Sequence, residues 1–114
     1  MPILDKALTK KEMLEDFCRI YQSMTKGVVD LESGLLALEA DMHADLEQML
    51  LNQGSRQRDL WGLNLYPEKS GSEFVEFTSL INIRPAQGNT SIDIRDPALR
   101  EQILRVVRKW VVDA

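Results

Sequence analysis

Between Leu60 and Ile94 apolar and polar residues alternate through three successive runs, and no other feature of the chain restricts its fold so tightly. Trp61, Leu63 and Leu65, then Val75, Phe77, Ile81 and Ile83, then Ile92 and Ile94 recur at alternate positions, with Asn64, Glu76, Thr78, Asn82 and Arg84 between them. A period of two is the spacing of a pleated strand with one buried face. Pro67 to Glu73 and Pro85 to Thr90 carry the Pro, Gly, Ser and Asn that loops favour. The segment predicts a three-stranded antiparallel meander.

The rest of the chain has to cover that sheet. At 114 residues it has the length of one domain with a two-layer core, so residues 1–114 are expected to form a single α+β domain. A content of 44% hydrophobic and 28% charged residues excludes disorder and fibrous repeats. No apolar run approaches the roughly 18 residues of a membrane span, and MPILDKALTKK has no apolar core of signal-peptide length. Together these predict a cytoplasmic protein with no membrane contact. The single cysteine, Cys18, excludes an internal disulfide and a cysteine-based zinc site, and its apolar neighbours predict a packed, unreactive thiol. A net charge of −4 argues against nucleic acid as a partner.

Thr9 and Glu12 form a capping-box pattern, and Met13, Leu14, Phe17, Ile20, Tyr21 and Met24 follow at helical spacing, with Gly27 where the helix is left. Val28 to Leu31 predict a short strand, and Ser33-Gly34 reverses it into a second run from Leu35 to about His43, giving a hairpin. A helix starting near Asp41 also fits, because Met42, Leu46, Met49 and Leu50 share a helical face; the preferred division keeps the strand and starts a short helix, Leu46 to Gln53, capped by Asp45 with Gln48 in the reciprocal position. Asp96 and Pro97 open a last helix with a stripe of Leu99, Ile103, Val106, Val107 and Trp110. Arg100, Arg105, Arg108 and Lys109 crowd its outer side, where Glu101 and Arg105 stand at ion-pair spacing. Either a solvated helix face or a contact to phosphate or an acidic partner accounts for that cluster. The predicted fold is α+β: a two-layer, five-stranded, mainly antiparallel sheet, hairpin plus meander, with the N- and C-terminal helices on one face and polar residues on the other.

Two clusters carry candidate chemistry. On a strand, Glu39, Asp41 and His43 project from one face about 6.6 Å apart, twice the strand rise, with Asp45 at the turn. Imidazole with carboxylates can hold a divalent metal or form a base oriented by an acid. Metal ligands must converge to about 2 Å from the ion, which alternate strand positions achieve only with a bulge. A lone histidine satisfied by a neighbouring carboxylate is the simpler reading, and no cofactor or metal is expected. On a helix, His43 and Glu47 would instead lie one turn apart. The second cluster is Asn82, Arg84, Gln87 and Asn89, with Asn64 on the same predicted face. Arginine offers a planar fork for carboxylate or phosphate, and amides read donor and acceptor patterns. The alternative is a loop knitted by its own amides, with Arg84 paired to Asp96 or another acid. Gly62 reads as a close backbone approach within a strand and Trp61 as core. Signatures of nucleotide-binding loops, the G-x-S-x-G elbow and H-E-x-x-H are absent.

The blocks H-A-D at His43 to Asp45, G-S-R-Q-R-D-L-W-G at Gly54 to Gly62, N-L-Y-P at Asn64 to Pro67 and S-L-I-N-I-R-P-A-Q-G-N at Ser79 to Asn89 resemble an uncharacterised family of small bacterial and archaeal proteins, a domain of unknown function. The resemblance runs from about Val28 to Val107. Similar sequences read G-G-E-L-H-A-D where this one has Glu39-Ala40-Asp41-Met42-His43-Ala44-Asp45. The resemblance implies no particular activity. The function expected is therefore a small binding or interaction module, with a homodimer as its candidate assembly, whose polar sheet face and Arg84 to Asn89 loop receive a ligand or protein partner. The competing reading is a metal-assisted hydrolase using Asp41, His43 and Asp45, with Arg84 orienting an anionic substrate.

Overall fold

The computed structural model describes residues 2–112. Within them the chain forms three α-helices and six strands in two sheets. Thr9 ends a two-residue strand, β1 (Leu8–Thr9), and caps α1 (Lys10–Phe17). Its hydroxyl accepts from the Glu12 N–H at 3.1 Å and its own N–H donates to the Glu12 carboxylate at 3.0 Å, the reciprocal box the sequence predicts. The Thr9 backbone N–H first, and then the Thr9 side chain, hold the Glu12 carboxyl below its ordinary range. α1 stops at Phe17, well before Met24, because the chain is turned away: Arg19 N–H donates to the Glu39 carboxylate at 2.7 Å and Gln22 adopts φ +65°. Ile20 and Tyr21, assigned to the buried stripe by spacing, are exposed.

The hairpin forms from β2 (Thr25–Asp30) and β3 (Leu35–Leu38). Asp30 sets its turn. Buried at the end of β2, its carboxylate accepts from the N–H groups of Glu32 and Ser33 at 2.9 and 3.2 Å and from the Ser55 hydroxyl. Burial raises the carboxyl's pKa, but these donors outweigh it and the net shift is downward. β3 ends at Leu38 rather than near His43, because Glu39 turns into the left-handed region at φ +67°, which no pleat accommodates. The next element is therefore α2 (His43–Asn52), starting three residues earlier than the preferred division, with Asp45 in its first turn accepting from the Met42 N–H.

β4 (Leu60–Leu65) is the central strand. The main sheet has four strands, not five, in the order β3-β2-β4-β5, all antiparallel, where β5 is only Val75–Glu76. The long second strand of the expected meander is lost because Ser79 caps a 3-10 turn at Leu80–Asn82 and Pro85 opens another at Pro85–Gln87. The apolar alternation there arises from turn geometry: Ile81 packs inward, while Leu80 and Ile83 are exposed. The third run survives as one bridge, Thr78 to Asp93, flanked by Ile94 N–H to Phe77 C=O and Ser79 N–H to Ile92 C=O. α3 (Pro97–Trp110) follows, with Asp96 accepting from Ala98 N–H and Pro97 at its first position as predicted. It leads into β6 (Val111–Val112), which pairs in parallel with β1.

Both faces of the main sheet are covered. On one, Val29, Leu36, Leu38, Trp61, Leu63 and Leu65 pack with Met13 of α1 and with Ile103 and Val107 of α3. On the other, where the sequence predicts an open polar face, Val28, Ala37 and Leu60 pack with Leu46 and Leu50 of α2 and with Ile81. The architecture is three layers instead of two, because α2 and the 3-10 segment fold back over the second face. Cys18 is buried, and burial with the nearby Glu39 and Glu68 charges pushes its thiol pKa up to about 11. Among the described residues no helix is long and apolar enough to cross a membrane.

Candidate functional site

The two sequence blocks that surround β4 lock into each other. Asn82 is fully buried and behaves as a short additional strand: its side-chain oxygen accepts from Gly62 N–H at 2.8 Å and its amide donates to Gly62 C=O at 2.9 Å and Ile92 C=O at 3.3 Å. Gly62 permits this approach, since an added Cβ would stand 2.6 Å from Ser79 Cβ. Asn89, also buried, donates to the carbonyls of Asn82, Ser91 and Asp93 and accepts from Arg95 N–H. Gln87 donates to Arg58 C=O.

Arg84 completes the brace. A guanidinium carries five N–H donors, and here all are engaged: Nε with Ile81 C=O at 3.0 Å, Nη1 with Gln57 C=O and with Gln87 Oε1 at 3.3 Å, Nη2 with Leu60 C=O at 2.7 Å and with Glu47 at 3.2 Å. Its plane lies 5.0 Å from the Trp61 ring centroid, and its side chain is 9% exposed. Burial lowers its pKa, against the supporting charge of Glu47. The acid paired with Arg84 is thus Glu47 of α2 rather than Asp96, and no donor remains for a ligand.

His43 and Asn64 meet at the other end of β4. The imidazole is buried with Nε2 2.9 Å from Leu63 C=O; burial, reinforced by Lys26, lowers its pKa, while the Leu63 hydrogen bond and the nearby Asn64 side chain pull the other way. Asn64 donates to Glu76 at 2.8 Å and to Thr78 C=O at 3.4 Å, and its buried Oδ1 accepts no hydrogen bond among the described residues. Asp41 and Asp45 remain outside on the solvent side, the latter held on Met42 N–H. The expected row of Glu39, Asp41 and His43 therefore does not form, and among the described residues no three His, Cys, Asp or Glu side chains are placed to hold a metal ion. Of the candidates on the predicted polar face, the structure brings His43 to Asn64 and Asn82 to Gly62, Arg84, Gln87 and Asn89, as two groups.

Asp41 and Asp45 border a shallow hollow of about 550 Å³ with Glu39, Gln48 and Met49, but a larger concavity lies elsewhere. A groove of about 860 Å³, within the range that accommodates ligands, opens between α3 and the segment from Tyr66 to Thr78. Val75, Leu104, Val107 and Val111 make it apolar, and Tyr66, Phe74 and Phe77 add aromatic faces. Most of its charged groups are already engaged. Glu76 accepts from the Tyr66 hydroxyl at 3.0 Å and from Asn64, Asp93 accepts from the Thr78 hydroxyl at 2.7 Å, and Arg108 pairs with Glu101 at 3.3 Å. Burial first, and then Glu76, raises the Tyr66 phenol pKa.

Arg100 differs. Its guanidinium lies 4.7 Å from the Phe77 ring centroid and its Nε donates to Ile94 C=O, while Nη1 and Nη2 have no partner among the described residues. The side chain is thereby fixed at one side and open at the other, the geometry that receives a carboxylate or phosphate through two parallel hydrogen bonds. From sequence Arg100 is one of four cations on an outer helix face. The signal that sets it apart is its place in the opening turns of α3, where the helix dipole disfavours positive charge.

These features define a three-layered α+β protein with a fully braced central strand and an amphipathic groove along its last helix. The chain belongs to the DUF5674 family, described as a protein of unknown function, whose match spans residues 2–110 and so takes in β1 and α1 as well as the sequence blocks. No curated protein and no solved structure matches it.

Proposed function

We propose that this protein is a small cytoplasmic binding module whose ligand seat is the groove between α3 and the Tyr66 to Thr78 segment, and whose ligand joins an apolar body to an anionic group. One observation carries the reading: Arg100 is stacked and tethered with its outer fork unpartnered among the described residues, at the edge of a groove that joins an apolar floor to polar walls. The contrast with Arg84 supports it, because the arginine expected from sequence to bind ligand has spent all five donors on the fold. For the metal-assisted alternative there is no converging ligand set among the described residues.

3-Phenylpropionate is the test molecule, titrated against the ¹⁵N-labelled full chain. One charge-assisted contact and one buried ring correspond to millimolar affinity, about 4 kcal/mol. Saturating shifts at Phe77, Arg100 and Leu104, abolished in Arg100→Ala with the rest of the spectrum retained, are the expected result. Shifts confined to other surfaces, or unchanged by Arg100→Ala, overturn the assignment.

A further inference from the structure

A buried polar atom that accepts no hydrogen bond is rare, and among the described residues Asn64 Oδ1 is one. The orientation of its amide is fixed. A carboxylate only accepts, so the amide nitrogen must face Glu76 at 2.8 Å, with Thr78 C=O as its second acceptor, and Oδ1 is left without either. The side chain beside it is His43. Leu63 C=O fixes the imidazole in turn, since a carbonyl requires the hydrogen on Nε2. The neutral ring then offers only a bare Nδ1, and two acceptors do not bond. A proton on Nδ1 makes the ring a donor at both nitrogens and gives the Asn64 oxygen its partner. This contact is the inner end of a chain that reaches the groove: Asn64 donates to Glu76 Oε1, the same oxygen accepts from the Tyr66 hydroxyl at 3.0 Å, and Glu76 and Tyr66 both line the groove wall.

We infer that His43 is a proton sensor for the groove, acting through Asn64 and Glu76 so that an anionic ligand is held more tightly when the imidazole is charged; this rests on the groove being the binding site. Glu76 is an anion on the wall and repels an anionic ligand. A charged His43, one side-chain amide behind it, offsets that repulsion. Reciprocity then requires the bound anion to raise the proton affinity of His43 by the same factor. The groups packed around the ring set the range in which it responds. Burial and the Lys26 charge of β2 disfavour the proton, as does the position of His43 in the first turn of α2, where the helix dipole opposes a cation. Leu63 C=O and Asn64 favour it. The remaining charges are committed elsewhere: Glu47, one turn along α2, pairs with Arg84, Asp45 holds Met42 N–H, Glu39 holds Arg19 N–H, and Tyr21 sends its hydroxyl to Asp41 C=O with Lys26 over its ring. The ring therefore stays neutral until the pH falls below the ordinary imidazole value of about 6.5.

His43 is the single histidine of the chain, so the imidazole signals of the untagged full chain report one site. The ring is titrated by NMR from about pH 8 to about pH 5, alone and saturated with 3-phenylpropionate, whose carboxylate stays mostly ionised there, and the affinity is measured at both ends of the range. The affinity is expected to rise about two- to fivefold toward acid pH, the effect of one added charge across about 10–15 Å of protein. The ring midpoint should move up by the matching amount on binding, about 0.3–0.7 of a pH unit. His43→Gln should flatten the affinity profile. Asn64→Leu, which deletes the acceptor and keeps the volume, should lower the midpoint of the unliganded ring, and Glu76→Gln, which keeps an oxygen for Tyr66 and Asn64 but removes the charge, should lower it as well. An affinity that does not change with pH in the parent, one that changes equally in His43→Gln, or a midpoint untouched by both Asn64→Leu and Glu76→Gln overturns the sensor while 3-phenylpropionate still marks the groove as a binding site. Should 3-phenylpropionate never reach the groove, the binding reading fails and the sensor with it.

Discussion

Gly62→Ala tests the interlock around β4 more directly than any other change. Gly62 lies outside the left-handed backbone region, so alanine can adopt its conformation and the whole effect is steric. The new methyl would stand 2.6 Å from Ser79 Cβ, 2.7 Å from Ser79 Oγ and 3.1 Å from Ile81 Cγ1. Carbon contacts relax at about 3.5–4.0 Å, so roughly 1 Å must open between two segments that are both held. Gly62 is fixed by its register with Val28 and by both Asn82 hydrogen bonds, and Ser79 by its N–H on Ile92 C=O. Overpacking of this kind costs about 1–3 kcal/mol. Weakening the two Asn82 bonds adds about 1 kcal/mol each, and the stiffer unfolded chain returns about 0.4–1 kcal/mol. The net expectation is destabilisation by about 2–4 kcal/mol, read as a shift in urea midpoint at constant slope and as a fall in Tm of roughly 8–16 °C. Ser79→Gly removes both close contacts but also the hydroxyl that caps the 3-10 turn, so it serves as the background: there Gly62→Ala should cost much less than in the parent. A Gly62→Ala protein within about 0.5 kcal/mol of the parent, the scatter of neutral surface changes, refutes the interlock; so does an equal cost of Gly62→Ala in the two backgrounds.

Arg84→Lys keeps the charge but deserts carbonyls of Gln57, Leu60 and Ile81, and should cost about 2–4 kcal/mol in urea unfolding. Asp30, whose carboxyl pKa is depressed in the fold, contributes stability that is present above the unfolded value near pH 4 and is lost as pH falls through the lower folded value; Asp30→Asn should flatten that acid limb in pH-dependent urea titrations. His43 has the opposite proton balance: with its folded pKa lowered, the unfolded chain binds the extra proton, so stability declines as pH drops below about 6.5, and His43→Gln should remove that part of the slope. Each titration needs only far-ultraviolet circular dichroism.

What the sequence made legible were the features that depend on near neighbours. Thr9 with Glu12, and Asp96 with Pro97, are local chemistry, and both caps form as their spacing requires. The alternation through Trp61, Leu63 and Leu65 is a true pleat because β4 lies between β2 and β5. The same alternation through Ile81 and Ile83 misleads, since Ser79 and the prolyl residue Pro85 bend the chain into 3-10 turns that put every second residue on different surroundings. His43 illustrates the other limit. The run from Leu35 to His43 alternates strictly, yet only Leu35–Leu38 is strand, because the segment Pro2–Leu4 pairs with β3 and Glu39 then leaves the pleat, a contact between distant residues that no local pattern encodes. The candidate site divides in the same way. Asn82, Arg84, Gln87 and Asn89 were legible as a cooperating group, but whether polar groups serve the fold or a ligand depends on how many donors tertiary contacts consume. Arg84 has none to spare and Arg100 keeps its fork.

The parallel ladder of Leu8–Thr9 with Val111–Val112 makes the molecule nearly circular in its connectivity. During synthesis Leu8 waits for its neighbour until α3 has left the ribosome, so a nascent chain can assemble the central sheet but not this seam. The same closeness invites rewiring: a flexible tether from Val112 back to Pro2, with the chain reopened at the exposed Gln53-Gly54 turn, keeps the β1–β6 ladder and the main-sheet registers. Such a permuted protein would gather the sheet before its seam in a different order, and its refolding rate would report how much the closing of that ring delays the rest.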